Sequence, residues 1–123
     1  MQSSRVARLF VLCVPLAAPS LLSTGASAQM TWRVQNELSE SLAVVFFSQN
    51  RNHQWPEAGK VMVLDDKRTY RYTIACNPGE LVCLGAWSKT SNRVWGVGYN
   101  NRRKCEDCCY HCLTNITPKQ VLK

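Results

Sequence analysis

Six cysteines between positions 76 and 112 constrain this chain more than any other feature of its sequence. Cys76 and Cys83 flank the turn signal Asn77-Pro78-Gly79-Glu80, and Cys105, Cys108, Cys109 and Cys112 crowd into eight residues. Whether such a set is a disulfide framework or a metal site depends on the compartment in which the chain folds. The N-terminus is therefore the first thing to read.

Met1 to Arg8 carries Arg5 and Arg8 and no acid, Leu9 to Leu22 is apolar apart from Pro15, Pro19 and Ser20, and Ala26-Ser27-Ala28 precedes Gln29. A basic start, an apolar core and a small-residue exit make a secretory signal peptide over residues 1–28. A spanning helix needs about 20 apolar residues, and the two prolines oppose one. Cys13 sits in mid-core behind Val11-Leu12, which is poor context for lipid attachment, so it leaves with the signal. Removing 28 of 123 residues leaves 95, enough for one domain, residues 29–123. A chain this short benefits from covalent bracing. The expected location is periplasmic or secreted, with no membrane span after cleavage.

In that setting the even set of six reads as disulfides. Spacing favours a Cys76–Cys83 bridge across the hairpin turn and two bridges inside or across the C-terminal cluster. Cys108 and Cys109 are adjacent and should take different partners. On this reading the staple is local, and the N-terminal half is held by strands and aromatic packing. The alternative is zinc: both Cys-x2-Cys pairs of Cys105, Cys108, Cys109 and Cys112 have ligand spacing, and His111 adds a nitrogen donor. A catalytic redox pair is the weakest reading, because it calls for a helix N-terminus in a βαβ setting, and nothing here alternates strand and helix.

The periodicity predicts strands and turns. Thr31 to Gln35 alternates apolar with polar, and Ser41 to Ser48 is a continuous apolar run suited to a buried central strand. Asn50 to Gly59 reads as a loop, and Val61 to Leu64 as a short strand. Over Thr69 to Cys76, Tyr70, Tyr72, Ile74 and Cys76 fall on one face and Thr69, Arg71, Thr73 and Ala75 on the other, period two with a wet side. Leu81 to Trp87, Val94 to Tyr99 and a last strand through Val121-Leu122 complete about seven. The expected fold is all-β, a small antiparallel sandwich or barrel with a C-terminal disulfide cluster.

Candidate binding residues are aromatic and basic. Leu84-Gly85-Ala86-Trp87 and Val94-Trp95-Gly96-Val97-Gly98, paired on a hairpin, would carry Trp87 and Trp95 either as an exposed stacking shelf or as core. Trp55 at the tip of Asn52-His53-Gln54-Trp55-Pro56 is a contact residue or a folded-back lid. Fifteen basic residues less Arg5 and Arg8 stand against eight acidic ones, a formal net charge of +5. Only Arg102, Arg103 and Lys104 cluster, and they would steer anionic partners. His53 and His111 are isolated, no serine sits in a nucleophile elbow, and Asp65-Asp66 and Glu106-Asp107 are adjacent pairs better suited to turns than to acid–base work. No Gly-rich phosphate loop is present. Asn115-Ile116-Thr117 matches the glycosylation sequon, with Pro118 following it.

Val34-Gln35-Asn36, Trp55-Pro56, Pro78-Gly79-Glu80 before Cys83-Leu84-Gly85-Ala86-Trp87, Trp95-Gly96-Val97-Gly98, and the Cys-x2-Cys-Cys-x2-Cys of Cys105 to Cys112 form a pattern over most of the mature chain. In that pattern the chain resembles a family of short exported bacterial proteins of unknown function. It implies an exported β domain and brings no catalytic residues with it. Together these readings point to a non-enzymatic, cysteine-rich domain without cofactor that binds an anionic envelope component or glycan, nucleic acid being disfavoured. The alternative is extracytoplasmic zinc binding.

Overall fold

A computed structural model describes residues 28–114 and 117–123. The segment read as a signal peptide, up to Ser27 and with Cys13, and Asn115-Ile116 of the sequon lie outside the described residues. Nine strands follow in chain order, with no helix among the described residues: β1 (Ala28–Asn36), β2 (Leu42–Ser48), β3 (Gln54–Trp55), β4 (Met62–Leu64), β5 (Thr69–Cys76), β6 (Leu81–Ser88), β7 (Val94–Gly96), β8 (Cys109–His111) and β9 (Lys119–Leu122). The fold is all-β, as the periodicity predicted. It has two strands more than expected, because Gln54-Trp55 in the polar loop and Cys109 to His111 in the cysteine cluster both pair with neighbours. Two- and three-residue strands carry no periodicity that a sequence can display.

The strands form two sheets. A three-stranded sheet has the order β5-β1-β9; a six-stranded sheet runs β3-β2-β6-β7, with β4 also on β2 and β8 also on β6. One correction concerns direction: β9 runs parallel to β1, so the smaller sheet is mixed rather than antiparallel. The run Leu42 to Ser48 is buried throughout and is central in its sheet, with β6 on one side and β3 and β4 on the other. The wet face predicted for β5 is present, with Thr69, Arg71, Thr73 and Ala75 exposed.

One core fills the space between the sheets. Trp32 of β1 is fully buried, with its ring 4.8 Å from Phe46 of β2 and 5.4 Å from Tyr110 of β8. Tyr72 of β5 reaches Phe46 at 6.0 Å. Aromatic contacts of this kind contribute about 0.5–1.5 kcal/mol beyond area burial.

The cysteines pair as Cys76–Cys112, Cys83–Cys109 and Cys105–Cys108. Only the last is confined to the C-terminal cluster. The expected Cys76–Cys83 bridge is absent because the two side chains serve different sheets. Cys76 ends β5, whereas Cys83 lies in β6, whose neighbour on that stretch is β8. Cys108 and Cys109 take different partners, as adjacency required. The staple is not local: Cys76–Cys112 ties the smaller sheet to the segment leaving β8 of the larger one.

Candidate functional site

Register decides which candidate residues share a surface. In β6 and β7, Ala86 opposes Trp95 and Trp87 opposes Val94. Directly opposed residues share a face and consecutive ones do not, so Trp87 and Trp95 stand on opposite sides of the sheet. Trp95 is half-buried, and its indole Nε1 donates to the carbonyl of Lys123 at 3.2 Å. Trp55 is buried, with Nε1 donating to the carbonyl of Ala75 at 2.9 Å, His53 edge-on at 4.6 Å and the Arg51 guanidinium 5.7 Å from the ring. The two tryptophans of the hairpin therefore form no common shelf, and Trp55 packs back into the fold.

Trp87 alone faces outward, where Tyr99, 64% exposed, meets its ring edge at 6.0 Å. What brings Tyr99 there is the segment after β7. Val97 N–H donates to the Leu84 carbonyl at 3.0 Å and Arg103 N–H to the Val97 carbonyl at 3.3 Å, so residues 97–104 fold back across β6. Glycines permit the approach. A Cβ on Gly85 would lie 2.0 Å from the Gly98 carbonyl oxygen, and one on Gly96, at φ +60°, would lie 1.9 Å from that of Leu84. Gly85 and Gly96 are therefore the contact points of a backbone crossing.

Beyond Tyr99 the same segment walls a groove of about 480 Å³. Its floor is apolar, made by Leu81, Val97 and the Cys83–Cys109 bridge. Its polar lining is Arg102, Arg103 and Lys104 with Gln49 and Asn101, and Glu106 is the one acid. Gln49 Nε2 donates to Asn101 Oδ1 at 2.7 Å, tying the end of β2 to the segment. Arg103 is held by a bond from Nη1 to the Val94 carbonyl at 2.9 Å. Arg102 and Lys104 are exposed and form no ion pair among the described residues. The basic triplet is thus placed beside an apolar recess. Gln49 and Asn101 are polar lining residues that sequence reasoning missed.

A second constellation escaped the sequence reading. Glu80, buried after Gly79, accepts from Arg51 Nε at 2.6 Å and Nη2 at 3.1 Å, from Ser48 Oγ at 2.5 Å and from the Asn77 N–H at 2.9 Å. The Arg51 hydrogen bond, then those of Ser48 and Asn77, lower its carboxyl from 4.5 to about 2, while burial acts in the opposite direction. Every lone pair that faces inward is used, which is the pattern of a structural lock rather than of an acid held ready for chemistry.

The zinc alternative meets a donor set that does not converge. Cys109 and Cys112 bond Cys83 and Cys76, only Cys105 and Cys108 pair with each other, and His111 Nδ1 lies 3.0 Å from the Gly79 carbonyl. Among the described residues no three His, Cys, Asp or Glu side chains come together to hold a metal ion. No helix among them is long and apolar enough to cross a membrane. Compared with models of protein families, with characterised proteins and with solved structures, the chain matches none.

Proposed function

We propose that this chain is an exported, disulfide-braced binding domain, not an enzyme, and that it takes an anionic component of the cell envelope in the groove beside residues 97–104. The observation that supports this reading is the combination of an apolar floor with the exposed, unpaired cations Arg102 and Lys104 at its rim. Concave sites with an apolar base and a few placed polar groups are where small ligands bind. Cations at the mouth favour an acidic ligand and raise its rate of encounter. Tyr99 of the segment and Trp87 of β6, edge to face beside it, offer aromatic surface for a sugar ring.

The test is binding of the oxidised protein to a panel of acidic and neutral envelope oligosaccharides. Arg102→Gln with Lys104→Gln should weaken binding of the acidic members at least tenfold, on the order of 1.4 kcal/mol, and leave neutral ones unchanged. Equal affinity of parent and variant across the acidic set would refute the assignment.

A further inference from the structure

The outer face of the three-stranded sheet carries an arrangement that neither the groove nor the core explains. In the register of that sheet Arg33 of β1 directly opposes Arg71 of β5 on one side and Lys119 of β9 on the other. Three cations therefore stand in one row across three strands, about 4.8 Å from strand to strand. Like charges placed directly opposite one another destabilise a sheet, and among the described residues no carboxylate pairs with them. The other ladder positions of this face are Gln29, Thr31, Gln35, Thr69, Thr73, Ala75 and Val121. None is acidic and none is aromatic. Arg71 and Lys119 are exposed, and none of the three cations forms an ion pair among the described residues. Arg33 Nε is buried between its neighbours with no hydrogen-bond partner. A buried guanidinium N–H left open, in a row of uncompensated charge, is a cost to the isolated fold.

We propose that this face docks the domain on an anionic lipid surface. Shape and composition select that occupant. Arg33 and Lys119 stand on open sheet surface, and only Arg71 of the row borders a recess, at the free edge of β5, whereas small anions are taken in concave sites. The face lacks aromatic side chains on which bases would stack, which disfavours single-stranded nucleic acid. Thr31 and Thr73 on one side of the row and Thr69 on the other border it. Thr31 and Thr73 share one hydroxyl–hydroxyl bond at 2.9 Å, which leaves one proton of that pair and the Thr69 hydroxyl to donate to headgroup oxygens. A planar array of phosphates pairs with all three cations at once. The face lies on the side of the sandwich opposite the groove, so docking would leave the groove open to solvent.

The experiment is co-sedimentation of the full disulfide-bonded chain with phosphatidylcholine vesicles made with and without phosphatidylglycerol. Binding should require phosphatidylglycerol and fall as salt is raised. Each basic residue near an anionic leaflet strengthens binding roughly fivefold, so Arg33→Gln/Arg71→Gln/Lys119→Gln should weaken it about 100-fold. If the triple variant is misfolded by circular dichroism, Arg71→Gln/Lys119→Gln, which changes only exposed side chains, should still weaken it about 25-fold. The comparison set is Arg102→Gln/Arg103→Gln/Lys104→Gln, which removes the same charge from the groove. A loss confined to the sheet variants supports the proposal whether or not the groove binds a glycan. An equal loss in the groove variant, or equal binding to both kinds of vesicle, overturns it. So does a parent protein that ignores the vesicles but binds an acidic protein through the row.

Discussion

Glu80 shows how much a single residue can hold in place. Its carboxylate joins Arg51 and Ser48, from the end of β2 and the loop beyond it, to the N–H of Asn77 at the β5–β6 turn. Because its folded pKa lies near 2, below the ordinary 4.5, the unfolded chain binds the proton more readily. The contribution is therefore complete above about pH 5 and is lost as pH falls toward 2. Glu80→Gln should cost about 2 kcal/mol at neutral pH, as hydrogen bonds to a charged group are lost. It should also flatten the acid limb of stability, which denaturant midpoints measured from pH 7 to 2 would check. An unchanged acid limb would place the acid sensitivity elsewhere. In the sequence Glu80 was legible only as part of a turn. Asn36 is similar: fully buried, it donates from Nδ2 to the Glu40 carbonyl at 2.7 Å and accepts the Leu38 N–H at 2.8 Å. Its place at the end of an alternating run said strand end, and nothing more.

At the scale of elements, the long periodic strands were legible and the short ones were not. β2 and β5 declare themselves by a continuous apolar run and by strict alternation, since each pairs along seven or more residues with a neighbour. β3 and β8 exist because β2 and β6 offer open edges, which is a tertiary fact. The segment 97–104 belongs to the same class. It stays on β6 because Gly85 and Gly96 have no side chains to separate the two backbones. Gly85→Ala should therefore push the segment off the sheet and lower stability by about 3 kcal/mol through overpacking. It should also expose the Trp87 indole, visible as a red-shifted and more quenchable fluorescence. If stability and emission both stay put, the segment is not held by that contact. Loss of the groove in this variant would follow from displacement of its wall.

For the molecule as a whole, the bridges should rank by the length of chain they close. Cys76–Cys112 spans 36 residues, Cys83–Cys109 spans 26 and Cys105–Cys108 only 3. Loop-closure entropy assigns about 4 kcal/mol to the first and about 2 kcal/mol to the last. Paired Cys→Ser variants should unfold in that order in urea, and peptide mapping of the unreduced protein should recover the same three pairs. A variant lacking Cys105–Cys108 that proved the least stable would reverse the expectation. By itself the sequence determined the all-β class, the buried central strand, the wet face of β5 and the partition of Cys108 and Cys109 between different partners. Each of these follows from local periodicity or from covalent adjacency. Only the tertiary structure decided which cysteines meet, that Trp87 and Trp95 face apart, and that Arg33, Arg71 and Lys119 line up. Those depend on register between strands distant in the chain, and a shift of one residue would carry every side chain of a strand to the opposite face.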